Sequence, residues 1–568
     1  MVAKTKAKGK TSKTKSRTAS SKKRQVSPQT QEKRRVDLPS FLKEFDKLLD
    51  NKNFVKPQEM LDSLVGIKKW QRLNLQSIIE YKRGDEKLAE DFMRQALREP
   101  DVQISINRNL AGMLINQGRM QEALPFAEKA YKKDIKDLKA AQLYLNCLLD
   151  LGKADEVLKE SEKILEHYPD DKVALVSRAS ALRSSMNMEE AEKELDRLLV
   201  KFPKEPVIHR IKADLLGDSD TLKALPYYES ALDLSIETRG KPDPAIQWNM
   251  SLHLLRARQL ERGWECWEQG FHPIVGTMGR NLPKRIKDMP RADNGEEIDR
   301  NKWTIVCAEQ GIGDQVLFMH SMNEVIEELG KVLYICEKRL YPIIKRSFPN
   351  MEVGATGLTY DWTRNSLNKN GYIPLGSIPR RHRKSVESYK VNRVPFLKAN
   401  ATLYKQYREY LQQKANGRPI IGVSWKGGYW QIQRKAKELE LKNWEPIFNR
   451  NALYVNLQYG DISEEMQYLQ QRNQEMILFP KLDFKVHIDD WLAIASACDG
   501  IISVSTALVH FVGAVGQKVA VVMPGEIGPW HLGLNDTESF AYKNVRIFRP
   551  SKKETLPELI ERVSQLIV

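Results

Sequence analysis

The sequence predicts two kinds of fold in one chain, a region of helical repeats followed by an α/β region. Between about residues 70 and 270, apolar residues follow helical spacing and small residues return at a period of about 34. From about residue 300, short runs of β-branched and aromatic residues alternate with helical patterns. Such alternation is typical of a parallel sheet covered by helices. A chain of 568 residues is also too long to enclose a single core.

The repeat is visible at positions that keep their phase. Residue pairs recur at intervals of 34, 34 and 33 residues, at Glu122-Ala123, Glu156-Val157, Glu190-Ala191 and Lys223-Ala224. Seven residues after each alanine or valine stand Ala130, Ile164, Leu198 and Ala231, and the turns upstream hold Gly118, Gly152 and Asn187. We expect these three residues to adopt the left-handed conformation between paired helices. This pattern resembles the tetratricopeptide repeat, and the alternative is a generic helical bundle.

The α/β region contains six apolar runs that predict buried parallel strands: 303–308, 331–336, 420–425, 452–459, 500–505 and 518–523. A helix predicted within residues 395–418 ends in a Gly/Pro linker and divides this half into two lobes. The predicted organisation is therefore a tail at 1–38, helical repeats at 39–271, a first lobe at 272–400 and a second lobe at 401–568. Three tryptophans in the last repeat, Trp248, Trp264 and Trp267, are expected to fill the seam beside the first lobe.

The net charge of +17 is concentrated at the N-terminus. Residues 1–35 hold 13 Lys and Arg against a single acid, Glu32, and contain no aromatic residue. We expect a disordered basic tail that contacts nucleic acid or acidic surfaces, or has no fixed partner. The tail lacks the apolar core of a secretory signal, and no run of about 18 apolar residues predicts a membrane span. With five scattered cysteines, the sequence predicts reduced thiols, no structural zinc and a cytoplasmic location.

Four motifs together resemble a known family. They are an ERGW-x₂-W helix, AEQGIGDQVLF (308–318), GVSWKGG (422–428) and ISVSTALVHFVGAVGQKVAVVMPG (502–525). Over about residues 70–550 the chain resembles bacterial repeat-bearing glycosyltransferases with a heptosyltransferase-like catalytic half. The resemblance implies the GT-B fold, a pair of Rossmann-like lobes that bind a nucleotide sugar between them. It also implies an inverting, metal-independent transfer with no cofactor.

The first motif supplies the expected catalytic residue. In the family the Gly-Asp of this turn is catalytic, and Asp314 matches the aspartate that acts as general base on the acceptor hydroxyl. The residues themselves are consistent with this role, because inversion needs a base on the face opposite the leaving group. The alternative is that Asp314 only caps a helix. Gly311 and Gly313 allow close backbone approach to a ligand, and Gln310 lines the same acceptor-side turn.

The second lobe supplies the expected donor site. A strand ending near Ser505 precedes a helix whose N-terminus can hold a diphosphate, with hydroxyls from Ser505 and Thr506. His510 matches the family histidine, whereas Ser505 stands where the family usually has an aspartate. Lys426 and Gly427 are further candidates for phosphate contact, and Gln458 for the base or ribose. Trp530 and His531 line the donor pocket or serve only packing.

The predicted function is transfer of a sugar from a nucleotide sugar to a protein acceptor that the repeats recruit. The architecture is similar to the flagellin-modifying enzymes of bacteria and, in layout, to nucleocytoplasmic N-acetylglucosamine transferases. One alternative is a non-catalytic repeat scaffold with a degenerate transferase region, favoured by Ser505. The other is a lipopolysaccharide heptosyltransferase, although a lipid acceptor does not need a peptide-binding solenoid.

Overall fold

A computed structural model of the chain describes residues 38–566, except for 218, 274, 276–278, 283–285, 287, 294, 296, 357–367, 392, 428–438, 525–527 and 552. The predicted basic tail therefore lies outside the described residues, apart from Leu38, where the first helix begins. The chain divides into two compact units. One unit contains residues up to 114 together with 125–133, and the other contains 115–124 and everything from 134 onward.

The N-terminal half of the described chain is helical. Its fourteen α-helices are α1 Leu38–Asp50, α2 Val55–Ser63, α3 Lys69–Arg83, α4 Glu86–Ala96, α5 Ser105–Asn116, α6 Met120–Lys133, α7 Leu138–Asp150, α8 Ala154–His167, α9 Lys172–Ser184, α10 Met188–Lys201, α11 Pro206–Gly217, α12 Thr221–Arg239, α13 Pro244–Arg256 and α14 Leu260–Trp267. In the first unit, α1 to α3 enclose a core that includes Phe45 and Ile79. None of the described helices has an apolar stretch of membrane-spanning length.

Helices α3 to α14 follow one another along the chain as six helix–turn–helix pairs. The fourth residue of every second helix is buried, and these residues are Ala89, Ala123, Val157, Ala191, Ala224 and Gly263. At Gly263 a Cβ atom would lie 2.7 Å from Leu255 Cδ2, so the last pair packs too closely for a side chain there. The described chain thus contains a tetratricopeptide-like helical region.

One predicted turn residue was wrong. Gly118 and Gly152 have positive φ as expected, but in the third turn the left-handed residue is Met186, with φ of 63°, and not Asn187. Asn187 has φ of −83° and stands at the N-cap of α10. The reason is the period itself, because Met186 lies 34 residues after Gly152. The repeat keeps the backbone conformation even where the residue is not one that favours it.

The C-terminal half contains two sheets, and all of their strand pairs are parallel. The strands are β1 Trp303–Cys307, β2 Val332–Cys336, β3 Glu352–Ala355, β4 Lys369–Pro374, β5 Ile420–Ser424, β6 Leu453–Asn456, β7 Met476–Ile477, β8 Gly500–Val504, β9 Val519–Val522 and β10 Val545–Phe548. Between and after them lie helices α15 Ile312–Phe318, α16 Met322–Leu329, α17 Tyr341–Ser347, α18 Ile378–His382, α19 Val386–Lys390, α20 Ala401–Ala415, α21 Glu445–Phe448, α22 Ser463–Gln471, α23 Ile488–Ala497, α24 Ala507–Ala514 and α25 Leu556–Ser564.

The order of strands follows the doubly wound pattern in both sheets. The first sheet has the order β3-β2-β1-β4, and the second has β10-β9-β8-β5-β6-β7. In the first, Ile305 lies opposite both Leu333 and Tyr372, so β1 is an interior strand. In each sheet the first strand along the chain is an interior strand. The next strands are added outward on one side of it, and the remaining strands are then added on its other side. The order therefore reverses between β1 and β4, and again between β5 and β8, which are the topological switch points.

The predicted seam of tryptophans is present in the second unit. Trp264 is fully buried and makes edge contacts with Phe318 at 6.1 Å and with Trp530 at 5.2 Å between ring centroids. Its indole Nε1 donates a hydrogen bond of 2.9 Å to the carbonyl of Arg383. Trp248 and Trp267 pack against each other at 4.7 Å. Helix α14 is thereby joined to the α/β region by a continuous apolar core.

Candidate functional site

The candidate site lies where the turns after two interior strands meet. The turn after β1 leads into α15, and the turn after β8 leads into α24, so each turn stands at the carboxyl end of a strand beside a switch point. In open α/β sheets this edge is where ligands bind. Helices α15 and α24 are in contact, although they follow strands of different sheets. The structure therefore brings together the two turns that carry the main predicted site residues.

The glycine at position 313 makes this contact possible. A Cβ atom at Gly313 would lie 3.1 Å from Cδ2 of His510 and 3.2 Å from the Cα of Ala507. These distances leave little room for a side chain, so the backbone of the first turn lies directly against the second helix. The predicted catalytic turn and the predicted donor helix are thus adjacent to each other.

The first turn has an unusual backbone and an acid at the start of its helix. Gln310 has φ of 61°, a left-handed conformation that costs free energy for a residue with a side chain. Gly311 is the N-cap of α15, and the Oδ2 atom of Asp314 is 3.2 Å from the position of a Cβ at Gly311. The carboxylate therefore lies near the N-terminus of its own helix, where negative charge is stabilised. This position is compatible with both predicted roles, base and cap.

Beside the first turn, His510 belongs to a buried cluster on the second lobe. The hydroxyl of Tyr542 lies 3.2 Å from Nδ1 of His510, and the ring of His531 lies 4.5 Å from the His510 ring. Burial lowers the pKa of His510 to about 4. Burial also raises the pKa of Tyr542 above its usual range, and the charges of Tyr389 and Asp314 add to this rise. At neutral pH both His510 and Tyr542 are therefore uncharged.

The N-terminus of α24 presents an unsatisfied hydroxyl. Thr506 is the N-cap of this helix but makes no capping hydrogen bond with its side chain. Its Oγ1 atom is buried and has no hydrogen-bond partner among the described residues, and the residue is only 8% exposed. A buried hydroxyl without a partner costs free energy, so it points to a group that binds there. Ser505, directly before it, is half-buried.

The residues predicted after β5 and β6 are already engaged within the protein. Oε1 of Gln458 accepts hydrogen bonds from the backbone N–H groups of Trp425 and Lys426, at 3.1 and 2.9 Å. Nζ of Lys426 forms an ion pair of 2.5 Å with Glu465 and donates to the carbonyl of Asp461 at 2.8 Å. Gln458 therefore shapes the turn after β5. Lys426 can meet an anion only if it leaves Glu465 or shares its charge.

Gly427 has open space at the position of a side chain, since no atom of the described residues lies within 4 Å of where its Cβ would be. The basic residues that follow in the same segment, Arg434, Lys435 and Lys437, lie outside the described residues. Of the two residues predicted on the last loop, Trp530 packs in the seam, whereas His531 reaches the His510 cluster.

Two elements of the site have no signal in the local sequence. Tyr542 lies 32 residues after His510, in a segment without a recognisable motif. Glu309, which stands directly before Gln310, is buried in an ion pair with Arg280 and also accepts a 2.8 Å hydrogen bond from the N–H of Gly376. These two contacts of Glu309 fix the backbone directly before the Gln310–Asp314 turn. Among the described residues, no group of three His, Cys, Asp or Glu side chains is arranged to hold a metal ion.

The fold and the site define a class, a tetratricopeptide-like helical region joined to a parallel-sheet α/β region. No known family model matches the chain. Protein FlbA of Caulobacter vibrioides is 26% identical over 333 residues, which cover 56% of this chain and 54% of FlbA. The chain therefore spans about half the length of this curated relative.

The solved structures to which the chain is similar include several repeat proteins. A tetratricopeptide repeat protein from Parabacteroides merdae is 17% identical with a TM-score of 0.37 and covers 42% of this chain and 94% of its own. YrrB, described as a TPR protein with an unusual peptide-binding site, is 18% identical with a TM-score of 0.27, covering 30% of this chain and 88% of its own. MamA from Desulfovibrio magneticus RS-1 is 17% identical with a TM-score of 0.28, covering 30% and 98%.

Acid should destabilise the protein through His510. Its pKa of about 4 in the folded state is below the value of about 6.5 expected in the unfolded chain. The unfolded state therefore binds the proton first, so stability is full above about pH 6.5 and is lost as the pH falls toward 4. Urea unfolding at pH 7 and pH 5 should show a loss that is about 1–2 kcal/mol smaller in His510→Gln than in the wild type. The exposed His167 provides the control, because His167→Gln should leave this pH dependence unchanged.

Proposed function

We propose that the protein is a glycosyltransferase that moves a sugar from a nucleotide-sugar donor to a protein acceptor recruited by the helical repeats. The lobes at 272–400 and 401–568 form a GT-B arrangement, with the acceptor side on the first lobe and the donor side on the second. One observation carries the proposal, namely the contact between the Gln310–Asp314 turn and the Thr506–His510 helix at the switch points of two sheets. A reaction between two substrates needs such a convergence of groups from two sides.

On the donor side, the diphosphate lies at the N-terminus of α24. The backbone N–H groups there and the helix dipole stabilise negative charge, and the buried Thr506 hydroxyl supplies a donor that has no partner in the described part of the chain. These groups take the role that a metal ion has in other transferases, as they stabilise the leaving nucleoside diphosphate. Neutral His510 adds a hydrogen bond through its ring rather than a positive charge.

On the acceptor side, Asp314 takes the proton from the acceptor hydroxyl as that oxygen attacks the anomeric carbon. The oxygen forms the new glycosidic bond, the bond from the sugar to the diphosphate breaks, and the nucleoside diphosphate leaves with the electron pair. Gln310, Gly311 and Gly313 let the acceptor approach the turn closely. The reaction needs no cofactor, and the cytoplasm is the compartment in which we expect it to take place.

A panel of nucleotide sugars and nucleoside diphosphates tests the proposal. We expect at least one nucleotide to raise the melting temperature of the purified protein, and its sugar form to be slowly hydrolysed or transferred. If no nucleotide stabilises the protein, the non-catalytic scaffold is the better description. The pairing of Lys426 with Glu465 and the presence of Ser505 favour that second function.

The Thr506 hydroxyl should contribute to nucleotide affinity. Thr506→Val keeps the shape of the side chain but removes the donor, so we expect the dissociation constant of the stabilising nucleotide to rise about 3- to 10-fold. Thr506→Ser keeps the hydroxyl and is the matched control, with affinity close to that of the wild type. Isothermal titration calorimetry of the three proteins measures the difference. Equal affinity of all three would place the diphosphate elsewhere.

A further inference from the structure

A residue of the last helical repeat reaches into the candidate site region. Arg258 lies in the turn between α13 and α14 and has φ of 65°. In earlier turns of the repeat the left-handed positions include Gly84, Gly118 and Gly152, which have no side chain. The last repeat therefore holds a long cationic side chain in a backbone conformation that is unfavourable for it. Such an outlier persists only where other contacts compensate for its cost.

Apart from a 3.4 Å hydrogen bond to the carbonyl of Leu255 in α13, the hydrogen bonds that the Arg258 guanidinium makes with described residues go to the loop after β9. We call residues 529–536 the His531 loop. The guanidinium of Arg258 donates to the backbone carbonyls of Trp530 and His531 at 3.1 and 3.4 Å. It also forms an ion pair with Asp536, in which Nε donates to Oδ2 at 3.0 Å. One side chain of the repeat thus binds three separate positions of this loop.

The space around the guanidinium is shaped to receive it. The carbon at its centre lies 4.3 Å from the centroid of the Phe540 ring, which is a cation–π contact. Gly533 has φ of 67°, and a Cβ atom there would lie 2.4 Å from Nη2 of Arg258. A side chain at position 533 would displace the arginine. The loop therefore pairs with the guanidinium through Asp536 and leaves room for it at Gly533, and Phe540 covers one of its faces.

The contacts of Arg258 with this loop affect the position of His531. Its ring lies 4.5 Å from the ring of His510, so the position of the His531 loop determines one wall of the His510 cluster. We propose that Arg258 is a positioning residue, through which the last helical repeat fixes the His531 loop in the geometry that binds the donor. The effect on donor binding rests on the proposed transferase function. The ordering of the loop does not depend on it.

Two measurements test separately whether Arg258 orders the His531 loop and whether it supports donor binding. Hydrogen–deuterium exchange followed by mass spectrometry should show amides of residues 530–536 exchanging at least tenfold faster in Arg258→Ala than in the wild type. Peptides that cover β8 and α24 should be unchanged. In the same variant the donor KM, or the nucleotide dissociation constant, should rise about tenfold while kcat changes less than threefold. Arg258→Lys keeps the charge but not the separate N–H donors of the guanidinium, so it should restore only part of both properties.

Arg262→Ala is the matched control, because Arg262 lies on α14 of the same helical pair but binds Glu229 within the repeats. It should change neither the exchange of the loop nor the donor KM. If Arg258→Ala does not fold, Asp536→Asn weakens the same ion pair from the other side and should give the same exchange pattern. Loop exchange within twofold of the wild type in the folded variants would overturn the proposal. If the wild type binds no nucleotide, the proposed function fails while the exchange result still decides the role of Arg258.

Discussion

Replacement of Asp314 by asparagine should lower the rate of sugar transfer by about 10²- to 10⁴-fold, the usual contribution of a general base. The side chain keeps its size and its polarity at the first turn of α15, but it no longer accepts a proton. Nucleotide affinity should stay within about threefold of the wild type, because the proposed diphosphate contacts are on α24 and not on α15. Steady-state kinetics with the donor found in the nucleotide panel, together with calorimetry, measure both quantities.

The control for this variant is a carboxylate at the other end of the same strand. Asp299 lies in the turn before β1, where its side chain accepts a hydrogen bond of 2.9 Å from the N–H of Asn301. Asp299→Asn should leave transfer unchanged, because the amino ends of parallel strands face away from the ligand-binding edge. If Asp314→Asn retains full turnover, Asp314 is a helix cap and not the base. If it loses turnover and nucleotide affinity together, the substitution has disturbed the adjoining donor helix.

The interior of both sheets was predictable from the sequence, and their edges were not. All six predicted runs contain observed strands, and these six occupy the interior positions, where burial on both faces requires continuous apolar residues. The four missed strands, Glu352–Ala355, Lys369–Pro374, Met476–Ile477 and Val545–Phe548, are the edge strands. Edge strands are shorter and more polar, since fewer neighbours cover them and unpaired edges invite association. Residues such as Lys369, Gly371 and Pro374 do not resemble a strand until a neighbour is known.

The candidate site also has one part that was predictable from the sequence and another part that was not. The turns at Gly311–Asp314 and Ser505–His510 were visible as local strand–turn–helix patterns, and the structure brings them together. Sequence reasoning could not assign a partner to Lys426, because Glu465 lies 39 residues away and follows a different strand. The same limit applies to Tyr542 and to Arg258, whose contacts are made across more than 30 residues. Such contacts depend on the tertiary fold and produce no periodic pattern in the sequence.

The buried ion pairs beneath the first turn should account for the largest change in stability. Arg280 is fully buried in its side chain and binds Glu309, whose side chain is also fully buried. It donates to Glu268 at 3.0 Å and to the Ser377 hydroxyl at 3.0 Å. Burial raises the pKa of Glu268, but Arg280 and Arg291 outweigh it and hold that pKa below its usual value. Glu268 is therefore charged at neutral pH, and its contribution to stability is lost as the pH falls below the ordinary range of a glutamate and through its lowered pKa.

Arg280→Met should lower the free energy of unfolding by about 3–5 kcal/mol, because it removes the arginine that pairs with the buried carboxylate of Glu309. The double variant Arg280→Met/Glu309→Gln should recover part of this loss, since the charge of that carboxylate is then removed. Urea unfolding of the two single variants and the double variant measures the coupling. The partly exposed pair of Arg472 and Glu445 is the control, and Arg472→Met should cost at most about 1 kcal/mol. A loss below 1 kcal/mol in Arg280→Met would mean that Glu309 is supported without Arg280, in which case Glu309 would hold the Gln310 turn mainly through its hydrogen bond from the N–H of Gly376.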